Sequence, residues 1–149
     1  MPRYFEVVKN EHRTSDGEII LPVRADKGSA GYDFYSPVNV IIPPNEHRLI
    51  FTDVKSCMGN DEVLMLYVRS SMGKIPVVIA NGTGIIDSSY YGNPSNDGNI
   101  GFRLLNLSDE NYVIHKGDRI GQGVFQKYLT VDDDNTNGER CGGFGSSGK

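Results

Sequence analysis

Apolar positions along this chain recur mostly with a period of two. Glu62-Val63-Leu64-Met65-Leu66-Tyr67-Val68-Arg69 carries apolar residues on both faces of an extended backbone, which predicts a strand deep in a core. Residues 48–54 alternate less regularly and predict a second strand. Residues 38–42 run into Pro43-Pro44-Asn45, a strand closed by a turn. Residues 76–80 and 84–86 flank Asn81-Gly82-Thr83, and Asn-Gly between apolar runs predicts a hairpin. Residues 100–107 and 122–129 add two more strands. No long window keeps an i, i+3, i+4, i+7 apolar face, so at most one short helical turn fits, around residues 71–74. Short strands separated by turn signals predict an all-β fold: a sandwich, a jelly roll or a β-barrel.

Composition narrows this further. A chain of 149 residues suits one domain and is long enough to bury a core without metal or disulfide staples. With 38% hydrophobic and 23% charged residues it is neither a disordered tail nor a membrane protein. Fifteen basic against nineteen acidic residues give a net charge of −4, which argues against a nucleic-acid polymer as partner but leaves room for a small anionic ligand. The first residues lack an apolar signal core, and Cys57 and Cys141 lack Cys-x-x-Cys spacing; the chain reads as cytoplasmic. Asp132-Asp133-Asp134-Asn135 then opens a stretch in which five of the last twelve residues are glycine. The expected organisation is a β domain over residues 1–131 and a connector with a flexible Gly-rich C-terminal arm over residues 132–149.

Two apparent motifs dissolve on inspection. Gly143-Phe144-Gly145-Ser146-Ser147-Gly148 matches G-x-G-x-x-G by letter, but only Lys149 follows where a helix must begin. Gly73-Lys74 is followed by Ile75 where a phosphate-binding P-loop needs Ser or Thr. His12, His47 and His115 are scattered without metal-ligand spacing.

Five segments carry more chemistry. Arg69-Ser70-Ser71-Met72-Gly73 offers a guanidinium, two hydroxyls and a glycine amide, suited to a polyphosphate; the same residues equally suit a strand end capping a helical turn. In Asn81 through Gly92, backbone groups of a hairpin could read a base edge, Asp87 could hold a water as a base, and Tyr90 could lie beneath a sugar; an ordinary hairpin with a turn-forming Asp reads the same way. In the tail, Arg140 can grip phosphate, Phe144 can stack on a base, and glycine amides with Ser146 and Ser147 can form an anion nest, or the whole can be a solvated end. Ala30-Gly31-Tyr32-Asp33 and Gly117-Asp118-Arg119-Ile120-Gly121-Gln122 complete the set.

Their order is more informative than any one of them. Together the five segments resemble the ordered motifs of the homotrimeric dUTPase family across residues 30–148, with the Gly-x-Ile-Asp-x-x-Tyr core of the third motif intact. The resemblance implies a jelly-roll protomer and a homotrimer with shared active sites. Motifs one, two and four would meet a neighbour's third motif, and the third chain's tail would close over the ligand. The implied activity is that of a dUTP diphosphatase: hydrolysis of dUTP to dUMP and pyrophosphate, lowering dUTP and supplying dUMP for thymidylate synthesis. Mg2+ would be held by substrate phosphates and waters rather than by the protein.

The resemblance also implies roles. Asp87 orients and deprotonates the attacking water. Arg69, Ser70, Ser71, Gly73, Gln122 and Arg140 spread phosphate charge. Asn81 and the backbone of Gly84, Ile85 and Ile86 read uracil, and Tyr90 packs against deoxyribose. Phe144 stacks on the base, with Gly145 and Ser146 completing the closed arm; Asp33 acts at one remove, towards Arg69 or metal-bound waters. The chain departs from the family pattern in three places: one residue fewer between Arg140 and Gly142, Tyr91 with an insertion of polar turn formers over residues 93–98, and Gly121 where Ala is usual. The insertion is expected to be a surface loop without a catalytic role, and Gly121 to be harmless. A dCTP deaminase, sharing fold and phosphate motifs, fits less well because it lacks the Phe-containing tail and uses a Glu near the third motif.

Overall fold

A computed structural model of the chain describes residues 2–138 and 140. Among the described residues twelve strands follow in order: β1 (Tyr4–Val7), β2 (Val23–Arg24), β3 (Tyr32–Tyr35), β4 (Val40–Ile42), β5 (His47–Phe51), β6 (Val54–Cys57), β7 (Glu62–Tyr67), β8 (Val77–Ile79), β9 (Gly84–Asp87), β10 (Gly101–Asn106), β11 (Tyr112–Ile114) and β12 (Arg119–Lys127). Helical structure among the described residues is confined to three 3-10 turns, Asn10–His12, Ser70–Lys74 and Ser88–Tyr90. The fold is an all-β jelly roll whose ladders are all antiparallel. A five-stranded sheet has the order β2-β3-β12-β7-β9 and a three-stranded sheet the order β5-β10-β8; β1-β6 and β11-β4 form two-stranded ladders.

Alternation explains the packing. Along β10 every second residue is buried, so Phe102, Leu104 and Asn106 face inward. Phe34 and Leu64 of the five-stranded sheet meet that face, with Phe34 and Phe102 ring centroids 5.4 Å apart. Gly121 sits on the same seam. A Cβ there would lie 2.3 Å from the Phe102 ring, so the glycine is the space the ring fills.

Three expectations change. Residues 76–80 and 84–86 do not form a hairpin: β8 pairs with β10 and β9 with β7, so Asn81-Gly82-Thr83 turns a corner between two sheets. The Asn-Gly signal identified the turn, closed by the Gly82 N–H on the Ile79 carbonyl with Gly82 at φ 85°, but not the partner strands. The run 48–54 is also interrupted. Asp53, fully buried at φ 60°, breaks it into β5 and β6. Its carboxylate accepts from the Thr14 amide and hydroxyl, the Ser15 hydroxyl and the Asn99 side-chain amide, a set of partners that overrides strand continuation.

The insertion is the third change. Residues 93–98 were expected on the surface, yet Asn93 and Asp97 are 2% and 4% exposed. The Lys55 ammonium lies 2.6 Å from the Asp97 carboxylate, which also accepts from the Lys9 amide at 2.9 Å. Lys55 in turn sits 4.8 Å from the Tyr91 ring centroid. The Asp97 carboxylate and the Asn93 side-chain oxygen, which accepts from the Ser95 amide and hydroxyl, are buried with partners, whereas the Asn93 side-chain nitrogen is buried without one.

Candidate active site

β9 is the last strand of its sheet and β8 the last of its own, and no ladder joins them. Between these two edges opens a cavity of about 570 Å³. On one side it is lined by Gly84, Ile85, Ile86 and Asp87, on another by Ile79, Gly101, Phe102 and Arg103, and at the corner by Asn81 and Thr83. Tyr90 and Arg140 complete it. An edge strand leaves alternate N–H and C=O groups without ladder partners, so this wall carries a fixed pattern of donors and acceptors. β9 is held close to β7 because Gly84 has no side chain; a Cβ there would meet Leu66 at 2.8 Å.

The third-motif residues of the sequence reading therefore meet in one cavity, and Arg140 joins them. The Arg140 Nη2 donates to Asp87 Oδ2 at 2.5 Å and its Nε donates to the Ser89 hydroxyl at 3.1 Å. Its guanidinium carbon lies 5.7 Å from the Tyr90 ring centroid. Asp87 ends an apolar strand, yet its carboxylate is not shut away from solvent. Its side chain is 49% exposed, because it is the last residue of an edge strand. Tyr90, by contrast, is buried. Its hydroxyl donates to the Asn99 carbonyl at 2.7 Å and accepts from the Asn96 side-chain amide at 2.8 Å. Burial raises its pKa, partly offset by the Asn96 hydrogen bond and the Arg140 charge, so the hydroxyl stays protonated and able to donate.

The remaining motifs gather elsewhere on the protomer. Strand pairing sets Asp33 of β3 opposite Gln122 of β12, and Gln122 opposite Tyr67 of β7, so segments distant in sequence become neighbours. Arg69 follows β7 and places its Nε 3.5 Å from the Asp33 carboxylate. The Gln122 side-chain amide donates to the Val68 carbonyl at 3.0 Å. Ser70, Ser71 and Gly73 are exposed on the 3-10 turn, which Met72 anchors in the core. None of Arg69, Ser70, Ser71, Gly73 or Gln122 lines the β8–β9 cavity. Phe144, Gly145 and Ser146 lie outside the described residues.

Several lining residues were missed by sequence reasoning. Phe102 and Arg103 lie on an alternating strand and carry no local signal of a site. Arg103 is a cation inside an otherwise apolar run, which is the one cue available. Asn96 and Asn99, which do not line the cavity but hold the Tyr90 hydroxyl, were hidden by the turn-rich composition around them. Among the described residues no group of three or more His, Cys, Asp or Glu side chains is arranged to hold a metal ion. No helix among them is long and apolar enough to cross a membrane.

The chain is similar to known proteins along most of its length. The dUTPase family model matches residues 17–148. A deoxyuridine 5'-triphosphate nucleotidohydrolase of Lactococcus lactis subsp. lactis (strain IL1403) is 42% identical, covering 98% of this chain and 97% of the relative. A vaccinia virus (strain Copenhagen) protein of the same name is 36% identical over 85% of this chain and 84% of its own length. The crystal structure of a dUTPase from Streptococcus mutans superposes with a TM-score of 0.78 at 35% identity, covering 87% of this chain and 98% of that one. The chain belongs to the dUTPase family.

Proposed function

We infer that this member of the dUTPase family is a dUTP diphosphatase: it hydrolyses dUTP to dUMP and pyrophosphate. The observation that carries the assignment of roles is the cavity between the two sheet edges, where Asp87, Tyr90, Arg140 and the open edge of β9 converge. Uracil lies against β9, where the backbone of Gly84, Ile85 and Ile86, with Asn81, pairs its edge much as a further strand would. Cytosine presents the opposite donor and acceptor at that edge and would leave buried groups unpaired. The Tyr90 ring packs against deoxyribose.

Asp87 orients a water and takes its proton as the water oxygen bonds to the α-phosphorus. The bond from the α-phosphorus to the bridging oxygen breaks in line, and pyrophosphate leaves. Arg140 gives up its ion pair with Asp87 and turns to the phosphates, leaving the carboxylate to the water. Arg69, Ser70, Ser71, the Gly73 amide and Gln122 receive the triphosphate, with Asp33 orienting Arg69. The exposed hydroxyls of Ser70 and Ser71 and the Asp33 carboxylate are hard oxygen donors beside that cradle. They fit Mg2+ carried in on the triphosphate, with waters between ion and protein. When bound, Mg2+ supplies neutralisation of phosphate charge. Phe144, Gly145 and Ser146 close the arm of residues 132–149 over the base.

The separation of the two residue groups on one protomer supports a homotrimer. One chain's β8–β9 cavity takes the nucleoside, a neighbour's Arg69–Gly73 turn takes the phosphates, and the arm completes the site. The test is a substrate panel. With Mg2+ present, dUTP should release pyrophosphate while dCTP, dTTP and UTP release little, and light scattering after size exclusion should give three chains. Ammonia from dCTP would overturn the activity, and a monomer that turns over at full rate would overturn the shared site.

A further inference from the structure

We propose that Asn96, in the inserted segment, is a positioning residue that fixes the Tyr90 ring and thereby sets discrimination at the sugar. The proposal rests on the reading of Tyr90 as the wall against deoxyribose. Tyr90 reaches the cavity with its ring and keeps its hydroxyl at the buried end, where it both donates and accepts. The acceptor is itself immobilised. The Asn99 side chain accepts from the Asp53 amide at 2.9 Å and donates to the Asp53 carboxylate at 2.9 Å. Asp53 carries the Thr14 and Ser15 contacts as well, so one end of the hydroxyl is tied into the protein interior.

Asn96 supplies the other end. Its side-chain oxygen accepts from the Gly98 amide at 3.0 Å, fixing the turn, while its nitrogen donates to Tyr90. Gly98 lies against the same residue from behind: at φ 81°, a Cβ there would stand 2.5 Å from the Tyr90 carbonyl oxygen. The insertion thus grips Tyr90 by its hydroxyl and its backbone. Steric exclusion of a 2′-hydroxyl is only as sharp as the wall is rigid, and a ring held at its far end cannot tilt to admit the extra oxygen.

Asn96→Asp isolates the contact, because it keeps the turn-forming oxygen and removes the donor to Tyr90. Asn96→Ser, which also keeps a turn-forming oxygen, serves if the aspartate variant fails to fold. Tyr90→Phe deletes the hydroxyl from the other side. Measured on dUTP and UTP, Asn96→Asp should lower the ratio of kcat/KM values by about three- to ten-fold, the worth of one buried hydrogen bond. The loss should fall on KM for dUTP with kcat nearly unchanged, and the double variant should be no worse than Tyr90→Phe alone. A ratio unmoved by the Asn96 variants while Tyr90→Phe lowers it overturns the brace and leaves the sugar wall standing; so do penalties that simply add. A ratio unmoved by Tyr90→Phe overturns the brace as well, and a ratio unmoved by Tyr90→Leu, which removes the ring, overturns the sugar-wall reading itself.

Discussion

Asp87 and Arg140 form an ion pair of 2.5 Å within the cavity that both residues line. Strand β9 delivers the carboxylate and the C-terminal segment delivers the guanidinium across 53 positions of sequence. The pair couples the proposed base to the position of the arm, since a water that binds this oxygen must displace the guanidinium.

Asp87→Asn keeps an acceptor for Arg140 and removes the proton acceptor. Its kcat for dUTP should fall by about 10²–10⁴, the usual contribution of a positioned base. Calorimetric binding of dUTP should persist. A kcat close to that of the unaltered enzyme would show that another group takes the proton.

Removing residues 138–149 takes away Arg140 together with the segment that carries Phe144. Turnover of dUTP should be lost while the elution volume in size-exclusion chromatography continues to report the full assembly. Dissociation of the shortened chain would instead assign the arm to assembly.

Gly121, expected from sequence to be a harmless replacement, has become a packing requirement. Gly121→Ala drives a methyl into the Phe102 ring and should cost about 1–3 kcal/mol of stability, read as a lower urea midpoint. Adding Phe102→Leu should recover part of that loss. If the alanine variant is as stable as the parent, the ring has room to move aside.

Asp97 gives a pH prediction. Burial alone would raise its pKa, but the hydrogen bond and charge of Lys55, with the Lys9 amide, outweigh it and hold the carboxyl below its ordinary value. A carboxyl depressed on folding stabilises the protein above its unfolded pKa and loses that contribution as pH falls through the folded value. The loss therefore sets in below about pH 4. Urea midpoints followed from pH 7 to pH 2 should show it, and Asp97→Asn should flatten that part of the curve while lowering stability at neutral pH. Lys55→Met leaves the carboxylate buried without its cation and should cost about 3–5 kcal/mol at pH 7. Glu6, 3.8 Å from Lys55, is too exposed to replace Asp97.

How far the site could be read in advance depended on whether its residues are contiguous. Asn81 through Tyr90 were identified together because one continuous stretch builds most of the cavity wall. Asp33, Gln122 and Arg69 were linked by the order of motifs, and the register of β3, β12 and β7 supplies the physical reason they meet. The hairpin expectation failed because local turn chemistry says nothing about which strands the flanking segments pair with. The insertion misled for a different reason. Asn, Asp and Ser are turn formers when solvated, and only tertiary structure brings Lys55, Lys9 and Tyr90 to satisfy them. Strands β1, β2, β3 and β11 are two to four residues long, too short for a period to register.

The corner at residues 80–83 has a consequence for cooperativity. It is the covalent link between β8 and β9, whose backbones exchange no hydrogen bonds. A nucleotide seated in the gap would act as a cross-tie between two otherwise separate hydrogen-bond networks. Amide hydrogen exchange should then slow along β7 and β10, including positions that touch no ligand, because opening either sheet would first require the ligand to leave.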